Sequence, residues 1–92
     1  MITEREGSAL FTDHPYIACS DRMHQGEPTI RGSAITVRTV VERTRLGDSV
    51  QDIVEAYPVL TSAQVHDALG YYYNHVDEIE RCITENVERN EK

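Results

Sequence analysis

SVQDIVEAYPVLTSAQVHDALGYYYN, residues 49–74, is the stretch that decides the fold of this chain. Each half places apolar side chains at the i, i+3, i+4, i+7 spacing that marks one face of a helix. Pro58 ends the first helix near Tyr57, because proline lacks a backbone N–H and disfavours the helical region for the residue before it. Thr61, with Gln64 three residues later, predicts a capping box that starts the second helix. Two short amphipathic helices joined by a tight, capped turn are typical of a helix-turn-helix. The apolar positions are Val50, Ile53, Val54 and Tyr57 in the first half and Val65, Ala68, Leu69 and Tyr72 in the second.

Helical periodicity continues on both sides of this pair. Upstream, Thr36 is a suitable N-cap and Gly47 a suitable residue just past a helix end, so a helix is predicted between them. Ser49 caps the next helix, with Asp52 near its positive end. The four predicted helices span about residues 36–46, 49–57, 61–74 and 76–89.

The junction between the third and fourth helices leaves two possibilities. The Asn-His-x-Asp step that begins at Asn74 favours a bend, and the alternative is one helix that continues through His75. The fourth helix would present an apolar stripe formed by Val76, Ile79, Ile83 and Val87.

The N-terminal part has a different character. Residues 1–13 are mixed and polar and are predicted to be flexible. Residues 16–31 contain two short extended pieces around a turn and predict a loose β-hairpin. A lone hairpin is only marginally stable, so it must dock on the helices or on a second copy of the chain. Residues 14–92 are therefore predicted to form one domain.

Composition narrows the class of protein. The chain has 92 residues, no Trp, and 9 basic against 16 acidic residues, which gives a net charge of −7. Such an acidic domain is a poor ligand for phosphate backbones and a reasonable partner for a basic protein. Cys19 and Cys82 are predicted to be free thiols. No run approaches the ~20 apolar residues of a membrane span and the N-terminus does not resemble a signal peptide, so a cytoplasmic location is expected.

Five short pieces of the sequence, taken in order, resemble the small prokaryotic family known as domain of unknown function 433. They are residues 26–28 (GEP), 30–37 (IRGSAITV), 46–49 (LGDS), 57–61 (YPVLT), and 68–69 (AL) followed by 71–73 (YYY). The resemblance implies a homeodomain-like three-helix core behind an N-terminal hairpin, and a role as the antitoxin of a PIN-like ribonuclease toxin. Ser33 and Ala34 depart from the Thr-Arg that is common at this place in the family, so any contact made by that Arg is missing here.

The charge distribution argues against strong binding of DNA by the third helix. The early residues of the second helix in a helix-turn-helix face base edges, and Gln64 could pair with adenine. No Lys or Arg occurs between residues 46 and 80, although cations supply most non-specific affinity for DNA. The basic residues that could contact nucleic acid instead are Arg31, Arg38, Arg43 and Arg45. They could form a patch that contacts phosphates, a foil for the acidic C-terminal helix, or an ordinary solvated surface.

A partner surface is the stronger expectation. The acidic helix 76–91 could block a basic ribonuclease groove, and exposed tyrosines favour interfaces. Tyr72 is expected in the core, together with Val40, Ile53, Val65 and Leu69. A homo-oligomer is expected, because the hairpin is short, the core is small and three tyrosines are consecutive. The candidate partner or oligomer interface comprises Tyr71, Tyr73, Glu78 and Glu85.

Catalytic and metal-binding signals are weak. Cys19 and His24 form a C-x₄-H pair without the second ligand pair of a structural zinc site, and no hydrolase or P-loop motif occurs. We therefore expect no enzyme and no cofactor. The sequence predicts an all-α fold: a homeodomain-like three-helix core with a short N-terminal β-hairpin and an additional C-terminal helix. The predicted function is an antitoxin-like protein that neutralises a PIN-like ribonuclease and contributes to autorepression of its operon. The alternative is a stand-alone helix-turn-helix regulator, and in either role binding to operator DNA is expected to be weak.

Overall fold

Four helices and a small antiparallel sheet make up the computed structural model, which describes residues 9–20 and 26–90. The strands are β1 (Ala9–Phe11), β2 (Ile17–Ser20) and β3 (Thr29–Ile30), and the helices are α1 (Val37–Arg45), α2 (Val50–Ala56), α3 (Ser62–Asn74) and α4 (Val76–Asn90). A mostly helical fold with four helices behind an antiparallel N-terminal element is therefore confirmed. None of the described helices is both long and apolar enough to cross a membrane.

The helix starts follow the capping residues of the sequence. The Thr36 hydroxyl accepts a hydrogen bond from the Thr39 N–H at the start of α1. Both α2 and α3 begin with complete capping boxes, Ser49 with Asp52 and Thr61 with Gln64. These side chains satisfy amide groups that have no partner within the helix, which fixes where each helix begins.

α1 ends and the chain turns at Gly47. Its φ of 102° lies in the left-handed region that glycine adopts at little cost. The predicted end of α1 at this position is confirmed.

Helix α3 ends at the residue before His75 and α4 begins at the residue after it. This decides between the two possibilities left by the sequence. His75 has φ −139° and ψ 47°, and it is the C-cap of α3. Its N–H donates to the Tyr72 carbonyl at 3.0 Å, and its own carbonyl accepts from Ile79 at 3.1 Å. The two helices are therefore separate.

The sheet is larger than the predicted hairpin. Its strand order is β1-β2-β3, with antiparallel pairing of β1 to β2 and of β2 to β3. The prediction that residues 1–13 are flexible is wrong for residues 9–11, which form β1, because strand pairing to β2 supplies hydrogen bonds that local sequence does not reveal. The predicted turn falls largely within residues 21–25, which include His24 and lie outside the described residues, as do residues 1–8.

The core lies between the sheet and the helices. Val40, Ile53 and Val65 are fully buried, as predicted. Leu69 and Tyr72 are partly buried and pack against this core. The buried residues of α3 are Val65, Ala68 and Tyr71. Successive helical residues are ~100° apart, so Tyr71 and Tyr72 point in different directions. Because α3 contacts the sheet and α4 as well as α1, its buried face includes Tyr71 and leaves Tyr72 at the edge.

Candidate functional site

Arg38 is enclosed by acidic side chains of its own chain. Its guanidinium donates to Glu27 at 2.9 Å and to Glu42 at 3.0 Å, and only 15% of its side chain is exposed. The Glu42 contact spans one helical turn, whereas the Glu27 contact joins α1 to the segment before β3. This arginine has little free charge to offer a phosphate.

The two arginines at the end of α1 are also paired. Arg43 donates to Asp48 and lies over the ring of Tyr57, 5.6 Å from the ring centre. Arg45 donates to Glu80 of α4 and, at 3.1 Å, to the Tyr72 hydroxyl of α3. Arg45 thus connects the C-terminal helix to α1 and balances a carboxylate of that acidic helix, whereas Arg38 and Arg43 pair with carboxylates outside it.

The other two predicted nucleic-acid residues also have roles within the chain. Arg31 donates to the Pro15 carbonyl at 2.9 Å. The Gln64 side-chain oxygen accepts from the Thr61 N–H at 2.8 Å as part of the capping box. Since that oxygen is engaged at the helix start, Gln64 is poorly placed to form the bidentate contact that recognises adenine.

Arg45, Tyr72 and Glu80 form a three-residue group that we call the Arg45 triad. The Tyr72 hydroxyl donates to Glu80 at 2.6 Å. The hydrogen bonds from Tyr72 and then Arg45 lower the pKa of the Glu80 carboxyl, and the same contact with Glu80 raises the pKa of Tyr72. Side chains from α1, α3 and α4 therefore hold one another in place at the protein surface.

A second polar group attaches the N-terminal segment to α3, and we call it the His14 network. Asp67 accepts from the Tyr16 backbone N–H at 2.9 Å, and its other oxygen lies 2.8 Å from His14 Nδ1. The Asn74 amide nitrogen, which can only donate, lies 3.0 Å from His14 Nε2. Nε2 is therefore the acceptor, and Nδ1 carries the proton donated to Asp67.

Gly70 makes room for this network. A Cβ atom at Gly70 would approach His14 Cε1 to 3.3 Å, closer than most such contacts in proteins. The absence of a side chain therefore lets the imidazole lie against the surface of α3.

Tyr71 lies beneath the network. It is only 3% exposed, its ring stacks on His75 with centroids 4.0 Å apart, and its hydroxyl donates to Glu78 at 2.8 Å. Burial, followed by this hydrogen bond, strongly raises the pKa of Tyr71. Tyr71 has no surface to offer a partner, which corrects its assignment to an interface.

The remaining predicted interface residues are placed differently. Tyr73 is 71% exposed and Glu85 is exposed, whereas Glu78 is half-buried and bonded to Tyr71. The structure therefore leaves Tyr73 and Glu85 accessible and does not bring the four predicted residues together into one surface.

The members of the His14 network were missed by the sequence reasoning. His14 lies 53 residues before Asp67 and 60 before Asn74, and no sequence motif links it to these two residues of α3. The one hint was Gly70 within a helix, since a helical glycine often marks a close approach.

The thiols and the acidic side chains offer little for chemistry. Cys19 and Cys82 are free and partly buried, and burial raises the pKa of the Cys82 thiol to about 11. The thiolate is the reactive form, so Cys82 is largely unreactive at neutral pH. Within residues 9–20 and 26–90, no group of three or more His, Cys, Asp or Glu side chains could hold a metal ion.

Comparisons with other proteins relate the chain to one family. Residues 17–72 match the family described as "Protein of unknown function (DUF433)". The chain is also similar to the crystal structure of a DUF433 member protein from Anabaena variabilis ATCC 29413. The TM-score is 0.72 at 28% sequence identity, and the match covers 78% of this chain and 70% of that chain. The comparison with curated proteins gave no match.

Proposed function

Because the chain belongs to the DUF433 family, we propose that it is an antitoxin-like protein that binds and neutralises a PIN-like ribonuclease. The antitoxin role comes from the family resemblance drawn from the sequence. A cytoplasmic location is part of the same proposal.

One observation carries the choice of a protein partner over a nucleic acid. Arg38, Arg43 and Arg45 each donate to carboxylates of this same chain. To contact a phosphate, each would have to release a partner that already neutralises it. Affinity for nucleic acid depends mainly on phosphate contacts, so the pairing of these three arginines favours a protein partner over DNA.

The outer face of α4 is the surface proposed to contact the ribonuclease. Asp77 and Glu85 are exposed there, and neither forms an ion pair with any residue that the structure describes. Electrostatic complementarity with a basic substrate groove would speed association and orient the partner. Blocking that groove would exclude RNA from the nuclease.

Ribonuclease inhibition tests this proposal. The chain would be co-expressed with a PIN-like ribonuclease encoded beside it, followed by affinity capture and an assay of RNA cleavage. We expect a stable complex and loss of cleavage. Asp77→Lys with Glu85→Lys should weaken inhibition by about tenfold or more, since like charges then meet across the interface.

A matched control separates the α4 surface from overall charge. Glu55 is an exposed acid on α2, so Glu55→Lys is the control for Glu85→Lys alone, with the same change of charge on another helix. This control should inhibit like wild type. Equal loss with Glu55→Lys and Glu85→Lys, or no complex with the wild-type chain, would contradict the proposal.

A second candidate function is DNA binding by α2 and α3, either by a stand-alone regulator or in autorepression of the operon. Its support is the pair of capped helices joined by a short turn, which is compatible with a homeodomain-like helix-turn-helix core formed by α1–α3. Ser62 and His66 are exposed near the start of α3.

Fluorescence anisotropy on specific and random duplexes tests this candidate. We expect weak binding to specific and random duplexes alike, and Arg38→Ala should change it little, because Glu27 and Glu42 already neutralise Arg38. Gln64→Ala should change little. Tight, sequence-selective binding abolished by Gln64→Ala would favour the regulator over the antitoxin.

A further inference from the structure

Two exposed, largely apolar side chains directly follow members of the Arg45 triad in the sequence. Leu46, directly after Arg45, is 79% exposed, and Tyr73, directly after Tyr72, is 71% exposed. The Tyr72 and Tyr73 rings lie 5.5 Å apart. Tyrosine and arginine beside apolar groups are the side chains most enriched at protein interfaces.

The apolar stripe of α4 continues past the body of the protein. Ile79 is fully buried, Ile83 is partly buried, and Val87 is 47% exposed. Burial thus falls along this stripe from Ile79 toward the C-terminal end of the helix. The C-terminal part of that stripe lacks a covering element among the described residues.

One flank of α4 has the spacing of a helix-packing seam. Val76, Glu80, Ile83 and Val87 are separated by four, three and four residues, and we call these four residues the α4 seam. This alternation keeps side chains on one face when two helices pack along each other. Val76, 40% exposed, lies at one end and Val87 at the other.

The seam is also symmetric in its spacing, although Glu80 of one copy would face Ile83 of the other. When two copies are aligned antiparallel about a point between Glu80 and Ile83, Val76 of one copy faces Val87 of the other. Both ends of the seam are then apolar against apolar. A two-fold interface requires a surface that complements itself in this way.

Charge favours a second copy of this chain as the occupant. The net charge of −7 opposes contact between copies over most of the surface. At the seam, however, Glu80 is balanced by Arg45, with 40% and 47% of their side chains exposed. This locally neutral, mixed-sign surface can meet its own copy without bringing unbalanced like charges together.

We propose that the chain forms a homodimer in which the α4 seams of two copies pack antiparallel about a two-fold axis. Tyr73 and Leu46 extend the contact on the α3 and α1 sides of the seam. The exposed acid Glu85 lies on the opposite face of α4 from the seam, so the dimer leaves this part of the proposed ribonuclease surface accessible.

Sedimentation velocity over a concentration series tests the dimer with the full chain alone. We expect a dimer in the micromolar range, and Val87→Lys and Tyr73→Lys should each weaken dimerisation by about tenfold or more. Val59→Lys is the matched control, because Val59 is 61% exposed and lies between α2 and α3. Circular dichroism verifies that each variant folds.

Disulfide crosslinking tests the antiparallel arrangement. In a background with Cys19→Ser and Cys82→Ser, proteins carrying Val76→Cys or Val87→Cys are oxidised separately and as a mixture. Covalent dimers that form preferentially in the mixture support the proposal. A monomeric wild type at high micromolar concentration, crosslinks that form as readily with each variant alone, or equal weakening by Val59→Lys would overturn it.

Discussion

Two neighbouring tyrosines of α3 make the same contact in opposite surroundings. The Tyr71 hydroxyl donates to Glu78 at 2.8 Å and the Tyr72 hydroxyl donates to Glu80 at 2.6 Å, so each joins α3 to a glutamate of α4. Tyr71 is buried against two histidines, whereas Tyr72 lies near the surface beside Arg45. The hydrogen-bond chemistry is the same, and only its surroundings differ.

The difference shows that the surroundings of a hydrogen bond decide how much its residue stabilises the fold. The pKa of Tyr71 is raised first by burial, and that of Tyr72 first by its hydrogen bond to Glu80. A buried ring contributes apolar contacts in addition to its hydrogen bond. Exposed charge pairs contribute little because water and salt screen them. Tyr71 should therefore stabilise the fold far more than Tyr72.

The largest expected effect comes from truncating the two tyrosines in turn. Tyr71→Ala should lower the free energy of unfolding by about 3–5 kcal/mol, since it leaves a cavity under the N-terminal segment. Tyr72→Ala should cost no more than about 1–2 kcal/mol, because its ring is only partly buried. Urea denaturation followed by circular dichroism measures both. Equal losses for the two variants would contradict the comparison.

A smaller effect is expected at the His14 network, which covers the Tyr71 side of α3. Asp67→Asn replaces one carboxylate oxygen by an amide that donates, although Asp67 faces two donors. We expect a loss of about 1–3 kcal/mol and faster hydrogen exchange at the Tyr16 amide. Glu85→Gln, at an exposed position in the middle of α4, is the control and should change stability by less than about 0.5 kcal/mol. An unchanged Tyr16 amide would show that Asp67 does not hold this segment.

The smallest effect belongs to the Arg45 triad, and it depends on pH. The folded pKa of Glu80 is lowered from its ordinary value of 4.5, so unfolding takes up a proton at acidic pH. The stabilisation by ionised Glu80 is therefore present above pH 4.5 and is lost as the pH falls through the folded pKa. Glu80→Gln should be slightly less stable than wild type at neutral pH, and the difference should shrink in acid. Thermal melts of both proteins from neutral to acidic pH test this. A difference that grows in acid would contradict it.

Local signals in the sequence were sufficient for the helices. Thr36, Ser49 and Thr61 were expected as caps and the structure confirms all three. A capping side chain forms its hydrogen bond within three residues of itself, so a cap can be recognised from neighbouring residues in the sequence. The break at His75 was also favoured for a local reason.

Long-range contacts were not predictable in the same way. β1 exists because it pairs with β2, and the assignment of Tyr71 to an interface failed because the facing elements set the rotation of α3. Internal pairing of the arginines was one of three possibilities that the sequence left open. Charge counts do not say which carboxylate lies near which arginine. Residues 53 positions apart, His14 and Asp67, have no common pattern in the sequence.

At Gly70, the stability of α3 as a helix and the docking of His14 on that helix favour different residues. As an isolated helix, α3 would gain about 1 kcal/mol from alanine at this position, because glycine has more backbone freedom to lose. In the folded chain the added methyl would meet the His14 ring at 3.3 Å, so the ring must shift for alanine to fit. The usual route to a more stable helix therefore loosens the attachment of the sheet. Any attempt to make this protein more heat-resistant must treat position 70 as part of the sheet's docking surface as well as part of the helix.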